Sequence, residues 1–199
     1  MAYVHASCLA RWRRENADGT DAFQCSTCGD QYRDSLTLEL LRNRLSASRE
    51  HGDVIACWDA LGTLAGSLAE QGQVDEAVKL QTELYESICD HVGTTKPRAL
   101  SVAAQLAGLL SSQGKLAASE ELARDALTTC CNLPASEVSH DTMGLRATLV
   151  NNLGLTLKRR YTLDEAEVLY REGLQLCREM SGDDGLDTCA ALNHLGMLL

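Results

Sequence analysis

The chain has 199 residues, 45% of them apolar and 4% aromatic, with 18 Lys+Arg against 28 Asp+Glu and a formal charge of −10. This composition excludes a disordered or fibrous chain, and the many Ala and Leu with one Phe and two Pro argue for helix packed on helix rather than a β-sandwich or barrel. The negative charge argues against an extended phosphate-binding surface, so nucleic acid is not an expected partner. No apolar run approaches the roughly 20 residues of a spanning helix, since even 99–110 is broken by Ser101 and Gln105. No membrane role is expected. Residues 1–5 lack a signal peptide's basic and apolar regions, which predicts a reducing intracellular setting, cytoplasmic or nuclear, and argues against a disulfide framework for the nine cysteines.

Residues 1–35 form the first predicted unit, rich in Arg, Asp, Cys and aromatics, with a loop-like stretch over 16–21. His5-x-x-Cys8 and Cys25-x-x-Cys28 are separated by sixteen residues. A two-residue gap lets both ligands of a pair reach one tetrahedral zinc ion at ~2.0–2.3 Å. With its flanks, Tyr3-Val-His5-x-x-Cys8-Leu-x-x-Trp12 and Phe23-Gln-Cys25-x-x-Cys28, the segment resembles the second half of a RING-CH (RINGv) zinc finger. A PHD finger shares part of this pattern, but Cys8-Leu-x-x-Trp12 favours RING-CH. The resemblance implies that His5, Cys8, Cys25 and Cys28 are the fifth to eighth ligands of a cross-braced pair of zinc ions. It also implies that Trp12 belongs to an apolar surface contacting a ubiquitin-conjugating enzyme. The first four ligands would precede Met1, so each ion would keep half its shell and bind weakly. Translation from an upstream start, collapse around a single zinc and a metal-free relic all remain open readings.

Residues 36–52 read as a connecting helix through Leu36, Leu40, Leu41 and Leu45. Over 53–199 one helix face recurs four times, as Leu61/Leu64/Ala65/Leu68, Ala103/Leu106/Ala107/Leu110, Val150/Leu153/Gly154/Leu157 and Leu192/Leu195/Gly196/Leu199. Leu64, Leu106, Leu153 and Leu195 follow one another at 42, 47 and 42 residues, a period of 42 with an insertion of five expected near 132–141. After turns at Gly72, Gly114 and Tyr161, each of the first three copies is followed by a second amphipathic stretch with a small residue, Ala77, Ser119 or Ala166, where two helices of a hairpin approach closely. Thr94 or Thr95 is the predicted start signal before Pro97. The unit is a helix–turn–helix hairpin, and the array contains three pairs plus the first helix of a fourth.

These repeats resemble tetratricopeptide repeats of the 42-residue kinesin-light-chain kind, most clearly at Ala65-Gly-Ser-Leu-Ala-Glu-Gln-Gly72, Val150-Asn-Asn-Leu-Gly-Leu155 and 163–171. The resemblance implies an all-α superhelical solenoid whose groove is lined by the first helices. Asn151, Lys158, Arg159 and Asn193 are the candidates it implies for peptide contact, Asn with the peptide backbone and Lys or Arg with acidic side chains. The array ends after a first helix with an apolar 194–199, which leads us to expect a fragment or a docking partner. The remaining cysteines and histidines fit no catalytic or metal-binding motif. The expected function is a non-catalytic interaction scaffold, with a RING-CH E3 ubiquitin ligase whose repeats recruit substrate as the alternative.

Overall fold

The structure, a computed structural model, describes residues 6–16, 23, 32 and 34–198. Among these residues it is all-helical: α1 Ala6–Glu15, α2 Ser35–His51, α3 Val54–Glu70, α4 Val74–Val92, α5 Pro97–Ser112, α6 Leu116–Cys131, α7 His140–Arg159, α8 Leu163–Ser181 and α9 Leu186–Gly196, with a 3-10 turn at Ala135–Glu137. That turn lies within the insertion expected between α6 and α7. The chain divides into two compact units, 1–80 and 81–199, with the division inside α4.

In the first unit α2 packs on α3. Leu36 and Leu40 of α2 receive Ala10 of α1 and Phe23. The Asp34 side chain caps α2 by accepting from the Thr37 amide at 2.8 Å, and Asp53 caps α3 by accepting from the Ala56 amide at 3.0 Å. Both satisfy an amide that the helix leaves without an internal partner. Farther along, Arg42 of α2 holds Glu76 of α4 through two bonds from Nη2, at 2.9 and 3.0 Å.

In the second unit α5 packs on α6, α6 on α7, α7 on α8 and α8 on α9, while α7 also packs on α5. The first helix α7 therefore touches the first helix of the preceding pair, α5, as well as the second helices on either side, α6 and α8. Three cores follow one another along this arrangement. Leu100, Ala103, Ala126 and Leu149 form the first, Ala107, Ala123, Leu153, Leu157 and Tyr170 the second, and Val150, Leu174, Cys177 and Ala191 the third.

The local signals explain the hairpins. Ala77, Ser119 and Ala166, the small residues of the predicted seams, are each fully buried. All three turns close the same way. Gly72, Gly114 and Tyr161 donate to the carbonyl three residues back, and Gln73, Lys115 and Thr162 to the carbonyl five back. This double closure ends a helix through a left-handed residue, with φ of 78°, 84° and 63° at Gly72, Gly114 and Tyr161.

One helix start differs from the sequence expectation. Pro97 does occupy the first turn of α5, but Lys96 is the cap residue and offers no side-chain cap bond. Its ammonium instead reaches Glu137 at 3.3 Å. By contrast, α7 begins with a reciprocal capping box between Ser139 and Thr142.

Candidate peptide-binding groove

Two cavities open along the first helices of the second unit. One, of about 420 Å³, lies between α5 and α7 and is lined by Pro97, Ser101, Ala104, Gln105, Asp141, Leu145 and Thr148. The other, of about 290 Å³, is framed by α7, α8 and α9 and lined by Gly144, Ala147, Thr148, Asn151, Cys177, Met180, Asp187 and Ala190. Thr148 is their common wall.

The groove walls are held by bonds from side chains to backbone between neighbouring first helices. Asn152 Nδ2 donates to the Ala104 carbonyl at 2.9 Å, and Arg159 Nη1 to the Ser111 carbonyl at 2.5 Å. A Cβ on Gly108 would stand 3.7 Å from Asn152 Nδ2, an ordinary van der Waals contact, so the approach does not depend on glycine there. Ala104 and Gly108 read from sequence as a smooth, weakly specific wall. The sequence does not single out Asn152, because the tandem Asn151-Asn152 does not show which amide faces the previous repeat. Gln81 Nε2, buried on α4, likewise donates to Gln105 Oε1 at 2.8 Å and fixes the rim of the larger cavity.

Of the four candidate contact residues, Asn151 lines the smaller cavity. Its Oδ1 is buried without a hydrogen-bond partner, facing Gly173 of α8, where a Cβ would come within 2.7 Å of it. Lys158 donates from Nζ to the Met197 carbonyl at the end of α9 at 2.9 Å. Arg159 is engaged with Ser111. Asn193 is exposed on α9. Gly154 is required by packing, since a Cβ there would meet the Tyr170 ring at 2.9 Å.

The electrostatics are those of a packing and recognition surface. Burial pushes the Tyr85 hydroxyl up to about 12. The Cys177 thiol at the floor of the smaller cavity is also raised, chiefly by burial and further by the Asp187 carboxylate, which keeps it protonated. On the second helices, burial would raise the Glu120 carboxyl, but bonds from Arg124 and Arg160 outweigh it and hold the group below its usual value. Arg124 continues to Glu165 of α8 at 2.5 Å, so this network ties one second helix to the next.

His5, Cys25 and Cys28 lie outside the described residues, as does the side chain of Cys8. Trp12 is half-exposed on α1. Among the described residues no group of three His, Cys, Asp or Glu could hold a metal ion, and no helix is long and apolar enough to cross a membrane. The cysteines at 57, 89, 130, 131, 177 and 189 are free thiols.

No curated protein matches the chain significantly. Among solved structures, BtubC (BKLC) from P. vanneervenii superposes with a TM-score of 0.65 at 21% identity, covering 81% of this chain and 63% of that one. The chain thus spans less than two thirds of BtubC. The nearly identical TPR-like repeats of a candidate kinesin light chain from Podosopora anserina superpose with a TM-score of 0.65 at 15% identity, and a single-substitution variant of them with 0.67, each covering 96% of this chain and 84% of the other. At these identities the likeness concerns the fold. Residues 99–133 and 146–187 match the tetratricopeptide repeat family.

Proposed function

We propose that this chain is a non-catalytic protein–protein interaction scaffold that takes an extended segment of a partner protein along its first helices. The observation that carries this reading is the pair of adjoining cavities between α5, α7 and α9, which share Thr148 and are framed by side chains bonded to the neighbouring repeat. A groove braced in this way is formed before the partner arrives, which lowers the ordering cost of binding. Asn151 and Asn193 are the proposed contacts to peptide backbone, while Lys158 and Arg159 are anchored by carbonyls within the array. Selection of a phage-displayed random peptide library against the full chain tests the reading. Enriched peptides should bind the wild type and lose binding to Thr148→Trp, which fills both cavities from an exposed position. Enrichment that Thr148→Trp leaves unchanged would place any binding elsewhere.

A second reading concerns the N-terminal segment. The spacing of His5, Cys8, Cys25 and Cys28, and the RING-CH resemblance with Trp12 exposed on α1, support zinc binding there. When bound, zinc would cross-link a segment with few apolar residues; contact with a ubiquitin-conjugating enzyme, and E3 ligase activity in a longer product, extend the same reading. Elemental analysis of the purified full chain tests it. Zinc should be retained and then lost in a Cys25→Ser/Cys28→Ser variant, whereas a metal-free wild type prepared in zinc-supplemented medium would refute it.

A further inference from the structure

We infer that the cavity framed by α7, α8 and α9 selects a basic side chain, a lysine or arginine of the partner peptide, with Asp187 as its counter-ion. The inference rests on the peptide-groove reading above and specifies its ligand. At about 290 Å³ the cavity is at the lower end of small-molecule sites, which run to about 1,000 Å³, and so suits one long side chain rather than a whole cofactor. Its wall is divided. Ala147, Met180 and the protonated Cys177 offer apolar contact for an alkyl stem. Asp187, Thr148 and the Asn151 amide supply the polar part. An apolar stem with a cationic tip is the side-chain chemistry that matches such a wall.

Charge decides the sign. Among the described residues, the only charged one lining the smaller cavity is Asp187, and the only one lining the larger is Asp141. The arginines and the lysine of α7 and α8 are engaged elsewhere: Arg146 with Glu172 at 2.6 Å, Arg171 with Glu167 at 2.6 Å, Arg178 with Asp183 at 2.9 Å, and Lys158 and Arg159 with backbone carbonyls. An acidic peptide side chain entering here would face carboxylates, whereas a basic one meets unmatched negative charge. The chain's overall −10 adds attraction at longer range. Asp187 also stands in the first turn of α9, where a carboxylate favours the helix whether or not a ligand binds. The test must therefore separate these roles.

Three fluorescein-labelled twelve-residue peptides with the same apolar residues, differing only in four positions occupied by Lys, Gln or Glu, are titrated with the full chain and followed by anisotropy. The Lys peptide should bind about tenfold more tightly than the Gln peptide, a difference that shrinks with added salt. Asp187→Asn should weaken the Lys peptide about fivefold or more and leave the Gln peptide unchanged. Asp164→Asn removes the same unit of charge from the first turn of α8, at the other end of that helix from Cys177 and Met180, and should leave the Lys peptide unchanged. Equal losses in both variants would reduce the effect to net charge and overturn the assignment. Tighter binding of the Glu peptide would overturn it while leaving the scaffold reading intact. Failure of all three peptides to bind would defeat both.

Discussion

Tyr161 occupies a left-handed backbone conformation at the turn between α7 and α8, where the two preceding repeats have glycine. A side chain in that conformation costs about 1–2 kcal/mol, and Tyr161 is 87% exposed, so it recovers little through packing. Replacing it with glycine also loosens the unfolded chain, a loss of roughly 0.4–1 kcal/mol. The strain is the larger effect, and Tyr161→Gly should raise stability by about 0.5–1 kcal/mol. Urea denaturation would show this as a higher midpoint at unchanged slope. Ser119 is the opposite kind of departure. It stands where the repeat favours alanine, yet its hydroxyl lies 2.7 Å from the Ala107 carbonyl and 3.0 Å from Thr156 Oγ1, which itself donates to the Asn152 carbonyl. Two hydroxyl protons serve three contacts, so the pair shares them. Ser119→Ala should cost about 1 kcal/mol, and a cycle with Thr156→Val should show coupling between the two sites. The smallness of residue 119 was legible from its place in the repeat. Its hydrogen bonding was not, because Thr156 lies 37 residues away and becomes a neighbour only when α7 stacks on α6.

At the scale of elements, the attachment of α1 to α2 depends on a buried guanidinium. Arg13 is 1% exposed, and it donates to Asp34 Oδ2 and Thr37 Oγ1, both at 2.6 Å, while lying 4.2 Å from the Tyr32 ring centre. Asp34 also caps α2, so one carboxylate joins the start of one helix to the side of another. Arg13→Ala should detach α1 at a cost of about 2 kcal/mol, read as faster hydrogen exchange of the α1 amides while those of α2 keep their protection. The same contact is sensitive to acid. Burial tends to raise the Asp34 carboxyl, but its bonds with Thr37 and Arg13 prevail and hold it below the ordinary value. The contribution is therefore complete above the unfolded group's pKa, and it is lost as pH falls through the lowered folded value. Asp34→Asn should flatten that acid limb of α1 protection. An arginine in a run of Arg11, Arg13 and Arg14 reads as solvent-facing; only the docking of α1 shows which of the three is enclosed.

Over the array as a whole, each helix pair gains most of its stability from its neighbours, because a single hairpin leaves one apolar face open. Within 81–198 the middle of the stack should then be the most protected. On α7, Ala147, Leu149, Val150, Leu153 and Leu157 are all buried, whereas α9 buries only Thr188 and Ala191 and leaves Leu186 89% exposed. Hydrogen exchange should be slowest in α7 and the helices that enclose it, and fastest in α9, and uniform protection across α5–α9 would contradict nearest-neighbour stacking. The cavities of the groove belong to the same scale, since each is walled by residues from two or three helices.

The recurrence of Leu64, Leu106, Leu153 and Leu195, with small residues at the seams and glycines at the turns, was enough to specify helix pairs stacked as an all-α array. Those features are local, and helical periodicity and turn chemistry act within a few residues of chain. The identity of the groove was not local. Lys158 and Arg159 look in sequence like free cations awaiting an acidic partner, and the fold brings to them backbone carbonyls 39 and 48 residues away. Asp187 looks like an ordinary first-turn acid until α7, α8 and α9 enclose a cavity beside it. Stacking decides which polar groups find partners within the chain, and so which are left for another protein.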